Sequence, residues 1–400
     1  MENNFVFKKA SVVSLFSGIG GFELGFAPAG ADPILFCEID PAAQAVLKSA
    51  WPDKPIVDDI SSLKSLPECD IVTAGFPCQD LSQAGAKAGI GGQRSGLVDH
   101  LFRLLASMEK APRWVVVENV PYMLGLDKGR GMQRLIESFE QLGYFWTYRV
   151  VDARAFGVPQ RRQRVILVAS KEGPLDGLLG GISEGITDPK PAVIEPGSAY
   201  GFYWTEGSRG IGWVKNGIPP IKGGSGLGIP SPPAIWIPET GELGKPGLTD
   251  AERLQGFPAN WTLPSIEVGR GRDGTRWRLI GNAVNVAMAN WLATRLSQWE
   301  CKEQNCDFRE EFVIKTRWPN SASGSSSKRA KLNLDPFPQI ESAPPITQFL
   351  REPLSPLSYK AASGFLRRAL GTPKLVYSDA FLDSVSRYCD TESEKRQRAA

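Results

Sequence analysis

Cys78 is the residue of this 400-residue chain whose surroundings best suit a nucleophile. It lies in Gly75-Phe76-Pro77-Cys78-Gln79, directly after the short apolar run 70–74. A lone cysteine is more often a small buried apolar residue. Here the adjoining proline and glutamine, and the glycines within 79–96, favour a nucleophile beneath a lid that closes over a substrate. Because no histidine adjoins it, thiolate formation must depend on the surrounding segment or on the substrate.

A carboxylate and two arginines could act beside this thiol. Glu118 follows the valine run 115–117, where partial burial suits a carboxyl group to hold a proton for donation. Arg162 and Arg164 alternate along an extended segment, so both side chains can face the same side. A capping glutamate and a solvated basic surface are the simpler interpretations of each feature alone. Together they predict one site at neighbouring strand ends.

A glycine-rich turn forms a third candidate feature. The apolar run 12–16 leads into Ser17-Gly18-Ile19-Gly20-Gly21, and Glu38 follows Gly18 by 20 residues. Glycines at a strand-to-helix turn let the backbone approach a ligand, and an acid at this offset can bind ribose hydroxyls. The pattern predicts a nucleoside cofactor, without separating a nicotinamide dinucleotide from S-adenosylmethionine.

Alternating strand-like and helix-like segments must position these residues. The apolar runs are 12–16, 33–37, 70–74, 114–118 and 164–169, and the helical stretches include 42–49, 97–108 and 132–142. Strands separated by helix-length segments favour an α/β fold with a parallel sheet.

Composition changes along the chain predict the domain organisation. We expect a Rossmann-like domain at 1–170, completed by 275–300, and a smaller loop-rich domain at 171–274. The latter begins with 18 Gly and 11 Pro among residues 171–250. The Ser-rich region suggests a linker at 301–330, followed by a C-terminal extension at 331–400 without an assigned role.

Composition also limits the chemistry and the cellular location. His100 is the single histidine, so a multi-histidine metal site is excluded and we expect no metal. Six cysteines without a C-x-x-C pair are typical of reduced thiols in the cytoplasm. We find no signal sequence and no apolar run long enough for a membrane helix, which predicts a cytoplasmic protein away from membranes.

Six motifs in this order resemble the DNA (cytosine-5)-methyltransferase family. They are Phe16–Gly21, Gly75–Gln79, Glu118–Val120, Gln160–Arg164, Arg253–Pro258 and Gly281–Val284. The resemblance covers residues 11–300, apart from the variable stretch at about 171–248. It implies a Rossmann-like domain that binds S-adenosyl-L-methionine and a separate target-recognition domain.

The resemblance also implies roles for individual residues. Cys78 would attack C6 of a flipped cytosine, Glu118 would contact its Watson–Crick edge, and Arg164 would support the ring oxygen with Arg162 nearby. The implied cofactor site comprises Phe16, Ser17, Gly18, Ile19, Gly20, Gly21, Glu38, Ile39, Asp59, Ile60, Pro77, Leu97, Asn282 and Val284. Three positions depart from the family pattern: Ser14 replaces a common Asp, Asp58 a usual Gly and Asn285 a frequent Pro.

The implied partner is double-stranded DNA, bound by a monomer. The chain carries 46 basic and 43 acidic residues, so a DNA surface must come from local clusters such as the arginines of 269–280. The candidate DNA contacts are Gln79, Ser82, Arg161, Arg209, Lys215, Lys222, Ser225, Arg270 and Arg272. A cognate restriction endonuclease that forms no stable complex with the chain is left open, and so is the target sequence.

Three alternatives remain at this point. A tRNA cytosine-5 methyltransferase would share the catalytic motifs, although the insert at 171–248 favours a reader of duplex DNA. A nicotinamide-dependent oxidoreductase would explain the glycine turn and Glu38 but not Cys78 or Glu118. A DNA-binding protein without catalytic activity would leave the intact thiol and carboxylate without a purpose.

Overall fold

The computed structural model describes most of the chain in two compact units. The described residues are 7, 9–77, 96–181, 185–206, 210–223, 232–268, 273–300, 309–312, 316–372 and 375–399. Unit 1 comprises Met1–Phe156, Gln163–Gly185 and Ala283–Ile340. Unit 2 comprises Gly157–Arg162, Ile186–Asn282 and Glu341–Ala400. Each unit is therefore assembled from three separate stretches of sequence.

Unit 1 contains a mixed sheet with ten strands among the described residues. In chain order the strands are β1 (Ala10–Leu15), β2 (Ala31–Cys37), β3 (Ile56–Val57), β4 (Ile71–Ala74), β5 (Trp114–Asn119), β6 (Phe145–Asp152), β7 (Gln163–Ser170), β12 (Arg309–Glu311), β13 (Ser321–Gly324) and β14 (Arg329–Leu332). Their spatial order is β12-β14-β13-β6-β7-β5-β4-β1-β2-β3. Strands β1 to β5 pair in parallel, and β6, β7 and β12 to β14 join in antiparallel fashion.

Helices of unit 1 connect and cover these strands. They are α1 (Gly21–Phe26), α2 (Pro41–Ala50), α3 (Leu97–Ser107), α4 (Arg130–Gln141) and α8 (Val286–Ser297). Short 3-10 turns lie at Ala27–Ala29, Pro121–Leu124, Leu126–Gly129 and Ala153–Ala155. Helix α3 buries Val98, Leu101, Leu104 and Leu105, whose spacing places them on one face toward the sheet. All six residues of β5 are buried, as expected for a central strand covered on both faces.

Strand β7 differs from the parallel arrangement that the sequence predicts. Ten residues, 153–162, join β6 to β7, and this connection contains no crossover helix. Because a parallel neighbour requires a crossover of about a dozen or more residues, β7 instead returns antiparallel to β6. It also lies antiparallel to β5, with Asn119 opposite Val165. The start of β7 therefore meets the end of β5.

The prediction of a linker at 301–330 is wrong where the structure describes this stretch, because part of it forms a strand of the large sheet. Residues Ser321–Gly324 form β13, which pairs with β6 from Trp146 to Arg149. Ala322 and Ser323 are buried, and a Cβ at Gly324 would lie 2.9 Å from the Trp146 ring. Small residues are thus required for packing against this tryptophan, although their composition is also typical of a flexible segment.

Unit 2 contains a smaller sheet of short strands. They are β8 (Tyr200–Phe202), β9 (Val214–Lys215), β10 (Ala234–Ile237), β11 (Glu242–Lys245) and β15 (Ser355–Pro356), in the antiparallel order β15-β11-β10-β8-β9. Its helices are α5 (Leu248–Leu254), α6 (Ser265–Val268), α7 (Asp273–Asn282), α9 (Ile346–Phe349), α10 (Tyr359–Leu370) and α11 (Asp379–Ala399). An aromatic cluster that includes Phe202, Trp213 and Phe381 joins the sheet to α10 and α11. Residues 341–400 are therefore an integral part of unit 2.

The limits of the units depart from the predicted domain boundaries. Gly157–Arg162 belongs to unit 2 although it falls within the predicted domain 1–170, and the predicted extension 331–400 is divided between the units after Ile340. Residues 171–185 belong to unit 1, and helix α7 belongs to unit 2, so the part that completes unit 1 begins at Ala283 rather than at residue 275. Among the described helices, none is long and apolar enough to cross a membrane.

Candidate active site

The glycine turn after β1 has the backbone geometry that a closely approaching ligand requires. Phe16, Gly18 and Gly20 have φ values of 57°, 56° and 80°, a region that favours glycine and is rare for an aromatic residue. Within the described ranges, and apart from Gly18 and its two chain neighbours, no atom lies within 4 Å of the position that a Cβ on Gly18 would take. A Cβ on Gly21, in contrast, would lie 2.5 Å from the Val284 carbonyl oxygen. Gly21 thus permits tight packing, and Gly18 borders open space.

Glu38, at the end of β2, contacts this turn directly. Its Oε2 accepts a hydrogen bond from the Gly18 N–H at 2.7 Å, and its Oε1 accepts one from the Asp40 N–H at 2.8 Å. Burial raises the pKa of Glu38, while these two N–H groups oppose the increase. Because each carboxylate oxygen can accept more than one hydrogen bond, Glu38 retains capacity for ribose hydroxyls.

The next residue, Ile39, has an exposed apolar side chain. It is 72% exposed, which is unusual for an isoleucine beside a sheet edge. Asp59 lies in the following segment, where its Oδ1 accepts the Ser61 N–H at 2.8 Å, and its contacts with Ser61 lower its pKa. Ile60 is buried within the hydrophobic core of unit 1, and its contact with a cofactor ring stays a prediction.

The other predicted cofactor residues fall in both units. Phe16 contacts the Phe76 ring edge-on at 6.1 Å between centroids, next to the exposed Pro77. Leu97 packs against the core of unit 1 at the start of α3, and Val284 is partly buried. Asn282 is the last residue of α7 in unit 2 and is exposed. Ser17 and Ile19 lie within the turn itself, where the Ser17 hydroxyl donates to the Ser14 carbonyl at 2.9 Å.

Glu118 and Arg164 form a buried ion pair where β5 ends and β7 begins. Glu118 lies opposite Ile166, so Arg164, two residues earlier on β7, projects from the same face of the sheet. Arg164 Nε is 2.7 Å from Glu118 Oε1, and the two residues are 9% and 8% exposed. A Cβ on Gly75 would lie 3.9 Å from Glu118 Oε2. The pair therefore faces the segment that leads to Cys78.

Asn119 connects that segment to the strand. Its Nδ2 donates to the Phe76 carbonyl at 2.9 Å, and its Oδ1 accepts the Val120 N–H at 2.9 Å. Cys78, Gln79 and Ser82 lie outside the described residues. Sequence reasoning missed Asn119 as a site residue, although its position directly after Glu118 at a strand end was an available signal.

Arg162 and Arg161 belong to unit 2, whereas Arg164 belongs to unit 1. The buried Arg162 guanidinium donates to the carbonyls of Ile221 at 3.1 Å and Gly281 at 3.0 Å. Arg161 Nη1 lies 2.9 Å from Asp188 Oδ2. These contacts stabilise the fold of unit 2, and the proposed roles of both arginines toward a substrate stay predictions.

Two further candidate DNA contacts are also paired with carboxylates inside unit 2. Lys215 forms an ion pair with Glu195, and Lys222 Nζ lies 2.6 Å from Glu206 Oε1. The predicted arginine strip is interrupted because Arg276 is buried and lies 3.0 Å from Glu252 Oε1. The remaining DNA-contact candidates lie outside the described residues: Arg209, Ser225, Arg270 and Arg272.

Two departures from the family pattern have a structural explanation. The Ser14 hydroxyl is hydrogen-bonded to Glu23, a buried carboxyl on α1 whose pKa is raised by burial. An aspartate at position 14 would place a second acid beside it. Asn285 is the N-cap of α8, and its Oδ1 accepts the Met288 N–H at 3.1 Å.

The free cysteines that the structure describes are unsuited to nucleophilic chemistry. Cys37, Cys69 and Cys389 are buried. Burial raises the pKa of Cys37 and of Cys69 to about 12, and nearby carboxylates contribute to both increases. Their thiols therefore remain protonated near neutral pH.

Comparison with known proteins identifies the family. The sequence profile of the C-5 cytosine-specific DNA methylases matches residues 10–188. The chain is 49% identical to the type II methyltransferase M2.BsuMI of Bacillus subtilis over 389 residues, which cover 96% of this chain and 99% of that protein. It is 30% identical over 320 residues to M.NlaX of Neisseria lactamica, another type II methyltransferase, covering 71% of this chain and 95% of that protein.

A solved structure confirms the predicted fold class. The Dnmt2 methyltransferase of S. pombe superimposes with a TM-score of 0.51 at 17% sequence identity, covering 72% of this chain and 98% of that chain. The profile match, the motif order and the 49% identity to M2.BsuMI over nearly the full length of both chains establish that the chain belongs to the C-5 cytosine-specific DNA methylase family and is a DNA (cytosine-5)-methyltransferase.

Proposed function

We propose that this enzyme transfers a methyl group from S-adenosyl-L-methionine to C5 of a flipped cytosine in one specific sequence of duplex DNA, through a covalent bond between Cys78 and C6. The observation that carries the proposal is the hydrogen bond from Asn119 to Phe76. This bond connects two parts of unit 1: the segment that precedes Cys78, and the end of β5, where Glu118 lies. Phe76, two residues before the proposed nucleophile in the sequence, is thereby held beside the strand end of the proposed acid.

The turn after β1 fits the proposed cofactor. Gly18 borders open space, Glu38 can accept ribose hydroxyls, and the exposed Ile39 offers an apolar surface to an adenine ring. When bound, S-adenosylmethionine supplies an electrophilic methyl group on a sulfonium sulfur. Glu38 would orient the ribose, and Asp59 would accept the adenine amino group.

The residues of the chain would make a weakly nucleophilic carbon reactive. Cys78 Sγ bonds to C6 of cytosine while Glu118 donates a proton to N3, so the electrons of the C5–C6 double bond become available at C5. C5 would then accept the methyl group that S-adenosylmethionine, held by Glu38 and the turn at Gly18, would supply. Water removes the C5 proton, the Cys78–C6 bond breaks, and the proton at N3 returns to Glu118.

Arg164 would serve both reaction and binding. Its Nε lies 2.7 Å from Glu118 Oε1, which orients the carboxyl group. Its guanidinium can also donate to the carbonyl oxygen O2 of the cytosine. Arg162 would act indirectly through the Gly281 carbonyl that it binds. The target cytosine must leave the duplex to reach the buried Glu118 and Arg164, because its ring is stacked between neighbouring bases inside the DNA helix.

Four of the proposed DNA contacts belong to unit 2 and lie outside the described ranges. Arg270 and Arg272 precede α7 and are proposed to meet phosphates. Arg209 and Ser225 are proposed to contact bases. The names of the type II relatives support a role in DNA modification alongside a cognate restriction endonuclease.

Methyl transfer from radiolabelled S-adenosylmethionine to duplex DNA, compared with tRNA, tests the proposal. We expect label in duplex DNA, and none above background in tRNA. Label found in tRNA alone would overturn the duplex substrate while retaining the chemistry. A matched Cys78→Ala enzyme serves as the control because it lacks only the proposed nucleophile.

A further inference from the structure

Arg368 connects helix α10 to the segment that follows β8. Its Nε donates to the Glu206 carbonyl at 3.1 Å, and its Nη2 donates to the Trp204 carbonyl at 2.8 Å. Two hydrogen bonds from one planar guanidinium fix both the distance and the direction of that segment. Residues 204–206 are thus held by a side chain from more than 160 residues later in the sequence.

The same segment holds a second stretch of unit 2. Lys222 Nζ lies 2.6 Å from Glu206 Oε1 and 3.7 Å from the centroid of the Tyr203 ring. The Tyr203 hydroxyl donates to the Pro220 carbonyl at 2.7 Å. An ion pair, a cation–π contact and a hydrogen bond therefore join residues 203–206 to residues 220–222.

Trp204 provides a third connection. Its Nε1 donates to the Pro232 carbonyl at 2.8 Å. In sequence, Glu206 precedes residues 207–209, and Lys222 and Pro232 lie on either side of residues 224–231. The contacts from Arg368 outward thus hold Glu206, which precedes the stretch 207–209, and they hold Lys222 and Pro232 on either side of the stretch 224–231. These two stretches carry the proposed base contacts Arg209 and Ser225.

The helix that carries Arg368 is itself firmly anchored. Ala362, Phe365 and Ala369 are buried in the aromatic cluster of unit 2, and the Phe365 ring lies 5.1 Å from that of Phe202 on β8. The neighbouring Arg367 is exposed and has no ion pair among the described residues. Arg368 is therefore held at a set position on a packed helix.

From this network we infer that Arg368 is a positioning residue for target-sequence discrimination, which assigns a role to the C-terminal residues 341–400. The inference rests on the proposed action on a specific duplex sequence. Arg368 acts through Trp204 and Glu206, whose main-chain carbonyls accept its hydrogen bonds. Its loss should alter which sequences are methylated more than how fast the reaction proceeds.

Steady-state methylation of two duplexes tests this inference. One carries the sequence methylated by the wild-type enzyme, identified by bisulfite sequencing, and the other differs from it by one base pair. For Arg368→Ala we expect the ratio of kcat/KM between the two duplexes to fall about tenfold, with kcat on the first changed less than twofold. Arg367→Ala removes the same charge one residue away and should retain the wild-type ratio.

Arg368→Lys provides a second measure, because lysine retains the charge but cannot span both carbonyls with a rigid fork. We expect an intermediate ratio, and this variant also serves if Arg368→Ala fails to fold. The inference is overturned if Arg368→Ala and Arg368→Lys match Arg367→Ala, or if activity falls equally on both duplexes. Absence of duplex methylation by the wild-type enzyme would instead refute the proposed function, and the inference with it.

Discussion

The side-chain amide of Asn119 donates a 2.9 Å hydrogen bond to the main-chain carbonyl of Phe76. This bond joins β5, which carries Glu118, to the segment that reaches Cys78 two residues later. Asn119 is buried and its oxygen is occupied by the Val120 N–H. The amide therefore both donates and accepts a hydrogen bond, and it holds Phe76 beside the end of β5.

Asn119→Asp should lower kcat about 100-fold, because a displacement of about 1 Å in a reacting group has an effect of this size. The aspartate keeps the shape of asparagine but cannot donate to Phe76 in its ionised form. Cofactor affinity, measured by calorimetry, should remain unchanged because Glu38 and Gly18 are not involved. Asn320→Asp, at an exposed position of unit 1, is the control. An unchanged kcat would contradict this role for Asn119.

Ile39→Ala should raise the dissociation constant for S-adenosylmethionine about tenfold without changing the melting temperature. The side chain is 72% exposed, so its loss has little effect on folding, but it removes apolar area that would cover an adenine ring. Calorimetric titration and thermal unfolding separate the two effects. Val376→Ala removes a similarly exposed apolar side chain from unit 2 and should leave both quantities unchanged. Equal affinities for the two variants would argue against adenine at Ile39.

Glu23→Gln should make the stability of the protein less dependent on pH. Burial raises the pKa of Glu23 above its ordinary value of 4.5, and its Oε2 has no hydrogen-bond partner in the described part of the chain. The stability that comes from keeping this carboxyl neutral is complete below pH 4.5, and it is lost as the pH rises through the folded-state pKa.

Melting temperatures between acidic and mildly alkaline pH test this prediction. Wild type should lose more stability with rising pH than Glu23→Gln. At acidic pH, where Glu23 is neutral in both the folded and the unfolded state, the two melting-temperature curves should have the same slope. Glu239→Gln removes an exposed carboxyl and should follow the wild-type curve. Parallel curves for wild type and Glu23→Gln would show that the buried carboxyl does not titrate in this range.

Arg270→Ala and Arg272→Ala should weaken binding to duplex DNA irrespective of sequence. Each lost phosphate contact should reduce the slope of log affinity against log salt by about 0.9. Fluorescence anisotropy over a salt series measures this slope. Arg387→Ala removes an equal charge from α11 and should preserve the slope. If the slope is also preserved in the two test variants, these arginines do not meet phosphates.

The sequence predicts local relationships better than those that depend on distant partners. The offset between Gly18 and Glu38 predicts their proximity, and the structure shows a 2.7 Å hydrogen bond between them. The sequence also predicts Glu118 and Arg164 at neighbouring strand ends. They are adjacent because β7 is antiparallel to β5, which brings its first residues to the same edge.

The predicted linker and Lys222 show why other features could not be predicted. Ser321–Gly324 is a strand because Trp146, 175 residues or more earlier, requires small neighbours on β13. Lys222 resembles a free cation in a glycine-rich stretch, but Glu206 and Tyr203 hold it. Pairings of this kind depend on the tertiary fold, and the local composition carries no sign of them.

Bisulfite sequencing of DNA from cells that express the wild-type enzyme or Cys78→Ser tests the central claim most directly. Cytosines methylated at C5 resist conversion, so the measurement reports both the activity and the target sequence. We predict protected cytosines within one recurring sequence for wild type and none for Cys78→Ser. Protection by Cys78→Ser equal to that of wild type, or its absence in wild type, would contradict thiol-dependent methylation of duplex DNA.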